Sequence, residues 1–145
     1  MNDVIDLVEV AFEAVQSLPD EIKSQLDEIA KDTTERHDFR DRTVLIVSED
    51  VIHQSRENEL EKQGYWYSTV EVTVCGPDKM KCKQICLEAF QKVIERFYLL
   101  EKNGEGPILG LARGPKEIGI ATFGGFPIKG YCARRTLEIH NTLEP

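Results

Sequence analysis

The sequence predicts an α+β domain with N-terminal helices and a mostly antiparallel sheet, crossed by one long helix at about 79–101. Three observations carry that reading. Tyr65–Cys75 alternates, with Val70, Val72 and Val74 facing one way and Thr69, Glu71 and Thr73 the other, as a half-buried strand does. Lys79–Glu101 places Cys82, Cys86, Ala89, Phe90, Val93, Phe97 and Leu100 at three- and four-residue intervals, the stripe of an amphipathic helix. Strand-like segments cluster instead of alternating with helices, which favours α+β over a doubly wound parallel sheet.

The elements follow in order. Over residues 3–16, Val4, Leu7, Val8, Ala11, Phe12 and Val15 form one helical stripe. Pro19 suits the start of a second helix because it lacks the N–H that would go unbonded there. Asp20 and Glu21 favour that end electrostatically. This helix is expected to run to about Ala30, with Ile22, Leu26 and Ile29 inward. The polar run 31–42 reads as a loop, and Thr43–Val47 as a β-branched strand. Residues 54–63 are highly charged and read as a hairpin tip or a short exposed helix. Gly76-Pro77-Asp78 stops the alternating strand, and Asn103-Gly104 closes the long helix. Strands are expected near Ile108–Ala112, Ile118–Phe123 and Tyr131–His140. In the last, Tyr131, Ala133, Arg135, Leu137 and Ile139 share a face, so Arg135 is expected at a rim.

At 145 residues the chain has the size of one domain, 1–145, and 41% hydrophobic residues suit a packed core. No apolar run approaches the ~20 residues a membrane span needs, and the acidic start lacks the pattern of a secretory signal. The expectation is an intracellular, cytoplasmic protein with no membrane partner. The net charge of -8 is uneven. Residues 1–62 hold 17 acidic and 7 basic residues, a balance of -10, whereas residues 63–145 hold 9 and 11, a balance of +2. The first part should repel nucleic acid, and no specific nucleic-acid binding is expected. The second part carries Arg113, Lys116, Lys129, Arg134 and Arg135, a candidate surface for an acidic partner or a set of ordinary solvated charges.

Catalytic and metal signatures are weak. Cys82 and Cys86 share a helix face, a spacing at which two thiolates can hold a metal with Cys75 or Cys132 as a third ligand, but no C-x-x-C knuckle or nearby histidine completes a set. Buried free thiols are the preferred reading, and a disulfide framework is not expected. His37, His53 and His140 make no H-x-x-x-H pattern, and eight residues of strand would hold Cys132 roughly 26 Å from His140. The glycines of 104–130 follow a helix and punctuate strands, so they read as turns and bulges rather than a phosphate loop. Adjacent carboxylates such as Asp20-Glu21 single out no acid–base pair. Trp66, between Tyr65 and Tyr67, reads as a core or interface anchor. No catalytic residue, metal or cofactor is assigned, and a non-enzyme is expected.

The stretch Gly64–Arg96, GYWYSTVEVTVCGPDKMKCKQICLEAFQKVIER, resembles the middle of the tail-terminator and head–tail joining proteins of tailed bacteriophages. The pattern extends over about 43–140, through the Thr43–Val47 strand, the charged tip and the closing RRTLEIH strand. The resemblance implies a viral structural protein of the virion. Such a protein forms a homo-oligomeric ring, usually a hexamer, that caps the tail tube and meets the head connector. Ring contacts are heterologous, and the unequal charge of the two halves suits them. Arg113, Lys116, Lys129, Arg134, Arg135 and Trp66 are then the candidate interface residues. The alternative of another class is a small acidic inhibitor or adaptor, binding one host protein through its N-terminal helices.

Overall fold

The computed structural model describes residues 6–31, 38–53, 65–104, 108–117, 122–123, 126–127 and 129–142. Helix α1 spans Leu7–Val15, and its N-cap Asp6 accepts from the Glu9 N–H at 3.2 Å. That satisfies one of the donors left over at a helix start. Its stripe is real: Leu7, Val8, Ala11 and Val15 are buried. The part of the expected helix before Asp6 lies outside the described residues.

The second helix is much shorter than the sequence predicts. Helix α2 is Asp20–Lys23, and the chain then enters strand β1, Glu28–Lys31. The expected helix to Ala30 is therefore corrected. Asp27 explains the change of direction, since its N–H donates to the Thr43 carbonyl at 2.8 Å while its carboxylate accepts from the Thr43 N–H at 2.8 Å. This two-way link lays residues 28–31 alongside strand β2, Val44–His53, in parallel. Ile22, Leu26 and Ile29 still pack against the main core, which is why their spacing imitated a helix.

Strand β3 is Tyr65–Gly76, helix α3 is Lys79–Lys102, strand β4 is Ile108–Glu117, and β5 and β6 are the short pair Thr122–Phe123 and Phe126–Pro127. Strand β7 is Tyr131–Thr142. The five-stranded sheet runs β1-β2-β3-β7-β4, antiparallel throughout except for the β1–β2 pair. Strand β2 continues beyond the expected Val47, pairing His53 with Trp66, so the β2–β3 hairpin has long arms. The charged stretch 54–63 lies outside the described residues. Strand β4 is also longer than expected, and its register shifts fall between Leu109 and Ala112 and between Arg113 and Lys116. Gly110 and Gly114 sit at those two shifts, as bulges favour.

The sheet is packed on both faces. On one, α1 and α3 bury Leu45, Val47, Val70, Val72, Val74, Ala133, Leu137 and Ile139. Helix α3 contributes Cys82, Ile85, Cys86, Ala89, Phe90, Val93 and Phe97, the stripe read from sequence with Ile85 added and Leu100 only partly buried. Asp78 caps its start, accepting from the Lys81 N–H at 3.2 Å. Gly104, at φ 70°, ends it in the left-handed conformation, while Asn103 stays right-handed. Lys31 ties β1 to α1, pairing with Glu9 and lying 4.6 Å over the Phe12 ring. On the opposite face a smaller cluster joins Phe39, Val44, Ile46, Cys75 and Cys132, with Ala30 against it. The polar run 31–42 therefore contains a fully buried aromatic, Phe39.

Candidate functional site

Alternation along β7 separates the two adjacent arginines. Ala133, Leu137 and Ile139 belong to the helix-side core, and Arg135 shares their phase beside Cys86. Arg134 points the other way, where its Nε donates to Thr73 Oγ1 at 2.9 Å and its guanidinium pairs with Glu71 at 3.4 Å. Both members of that pair are largely covered, with side chains 25% and 20% exposed. Thr73 is fully buried, so this hydrogen bond meets a need of the hydroxyl. Arg134 is thus engaged within the subunit, and Arg134 and Arg135 do not form one patch.

The remaining candidates are spread along the sheet. Lys116 is the cross-strand partner of Arg134, and Arg113 that of Thr136. Lys129 is exposed, and its carbonyl accepts from the Phe39 N–H at 2.8 Å. Trp66 lies opposite Asn141 at the other end of β7, seven residues from Arg134, or roughly 23 Å along the strand. It does not join the basic group. Tyr131, expected on the same face as Ala133, Leu137 and Ile139, is 52% exposed.

The outer side of α3 carries what sequence reading missed. Met80, Leu87, Tyr98 and Leu99 are exposed large apolar residues. Met80, Leu87 and Tyr98 follow one another at seven and eleven residues, so each returns to nearly the same side of the helix. They make a line roughly 27 Å long. The signal was present in the sequence as apolar residues out of phase with the buried stripe, separated by Lys, Gln and Glu.

The cysteines divide between the sheet's two faces. Cys75 and Cys132 are direct partners in the β3–β7 register, with Cα atoms 4.3 Å apart, and they form a disulfide. The expectation that no disulfide framework forms is corrected for this pair: register places them at a closely spaced antiparallel position, which no sequence spacing reveals. Cys82 and Cys86 remain free on the helix side. Burial pushes the Cys82 thiol up to about 11 and the Cys86 thiol up to about 12. Both therefore stay protonated at neutral pH and pack as small hydrophobes. Among the described residues, no three His, Cys, Asp or Glu side chains are grouped so as to hold a metal ion.

No helix among the described residues is long and apolar enough to cross a membrane. The chain matches no protein-family model and no curated protein sequence.

Proposed function

We propose that this chain is an assembly subunit, of the kind that the resemblance to phage tail-terminator and head–tail joining proteins implies, which closes into a ring of identical copies. The observation that carries the proposal is the outer line of Met80, Leu87 and Tyr98 on α3, whose inner stripe is already in the core. A helix that presents a spaced line of apolar residues outside its buried stripe suits a subunit that buries them against a neighbour. The long-armed β2–β3 hairpin and the charge difference between the two parts of the chain also support it. In a head-to-tail ring the α3 line of one copy meets a different surface of the next, and the exposed Lys129 is available to the rim of that contact.

Size-exclusion chromatography with light scattering tests the reading against the 16.5 kDa chain. The expected mass is a whole multiple that persists at micromolar concentration. Leu87→Glu combined with Tyr98→Glu should convert it to monomer while the circular dichroism spectrum stays unchanged. A wild-type chain that is monomeric at high micromolar concentration overturns the ring and favours the inhibitor or adaptor.

A further inference from the structure

We propose that the Cys75–Cys132 disulfide and the segment around Phe39 form a redox-coupled latch, in which seated Phe39 shields the bond and reduction of the bond unseats Phe39. The proposal goes beyond assembly and does not depend on it. Both cysteines are buried, and Phe39, 0% exposed, packs with them in the smaller core. Its neighbours Asp38, Arg40, Asp41 and Arg42 are all exposed. The segment is held by the Phe39 N–H to the Lys129 carbonyl, by the Asp38–Lys129 bridge, and by a surface fork between Arg40 and Asp38 at 2.7 and 3.0 Å. One buried ring in a run of exposed charges is a segment that opens without unfolding the sheet.

Space in the pocket is short. Gly130, at φ 117°, lies so close that an added Cβ would stand 3.2 Å from Phe39 Cβ and 3.2 Å from the Gly76 carbonyl oxygen. Reduction replaces one bond with two non-bonded thiols, whose sulfurs stand farther apart and press on the residues packed with them, Phe39 among them. The free thiols cannot supply the electrons, since Cys82 and Cys86 lie on the other face of the sheet and remain protonated. An external dithiol supplies them. Its thiolate attacks one sulfur to give a mixed disulfide and frees the other cysteine. Its second thiolate then attacks the reagent sulfur of that mixed disulfide and displaces the remaining cysteine, leaving the reagent as a disulfide and Cys75 and Cys132 as two thiols, with two electrons and two protons transferred. Shielding and unseating are two sides of one coupling, so each must influence the other.

The intact chain tests this. Thiols counted in denaturant should number two before dithiothreitol and four after it; four before reduction overturns the latch. Trypsin then reads the segment at Arg40 and Arg42, with Lys92 and Arg96 in α3 as internal controls. Reduction should accelerate cleavage at Arg40 and Arg42 about tenfold or more and leave the α3 sites unchanged. Unchanged cleavage, or equal acceleration at all four sites, overturns the proposal. Phe39→Leu keeps the pocket apolar but fills it less well, and it should shorten the half-time of reduction by limiting dithiothreitol several-fold. A variant reduced at the wild-type rate also overturns it.

Discussion

Two neighbouring residues of α3 offer a sharp test of how that helix is phased. Phe97 is fully buried against the sheet, whereas Tyr98 is 55% exposed on the opposite side. Truncating a buried phenylalanine to alanine removes its transfer free energy and leaves a cavity, at a combined cost of about 4 kcal/mol. With a urea slope of about 2 kcal/mol per molar, Phe97→Ala should lower the unfolding midpoint by about 2 M. Tyr98→Ala leaves no cavity, and its effect on the subunit should stay within about 0.5 kcal/mol, or about 0.25 M. The assay is urea unfolding followed by circular dichroism, at a concentration low enough that association adds nothing. If Tyr98→Ala costs as much as Phe97→Ala, the assignment of inner and outer sides is wrong. If Phe97→Ala costs under about 1 kcal/mol, the helix does not pack on the sheet as described.

Two further outcomes are expected. Gly104→Ala meets no atom within 4 Å and bears only the cost of its left-handed φ of 70°, about 1 kcal/mol, whereas Gly130→Ala adds close contacts to φ 117° and should cost about 2 kcal/mol or more; thermal unfolding ranks them, and the reverse order would refute the notch beside Phe39. Raising the pH should lower stability between 9 and about 12, because the unfolded chain releases the Cys82 and Cys86 protons from pKa 9.0 while the folded chain holds them to about 11 and about 12. Denaturant midpoints across that range, compared with a Cys86→Ala variant, should show a shallower decline in the variant.

The long, strongly periodic elements were legible. Val70, Val72 and Val74 alternate, and the buried α3 stripe repeats from Cys82 to Phe97, over about four turns, so local pattern and burial agree. Strand β1 was not legible: it has four residues, and Ile22, Leu26 and Ile29 serve one core at a spacing that a helix would also use. Its identity depends on the reciprocal Asp27–Thr43 link, a contact sixteen residues apart. Phe39 was hidden because it stands alone among charged neighbours and acquires a partner only when β3 and β7 align. The disulfide depends on the same alignment. Of the candidate interface residues, sequence gave position but not direction, so Arg134 and Arg135 looked like a pair although the pleat sends them apart.

The parallel placement of β1 has one more consequence. It covers the first four residues of β2, from Val44 to Val47, on the flank of the sheet away from β3. A chain trimmed after Lys31 would keep the hairpin, α3 and the disulfide, yet it would bare the peptide groups of those β2 residues to any passing extended polypeptide. Such a fragment should stick to itself edge to edge through those four residues, whose outer flank the short β1 takes up in the intact chain.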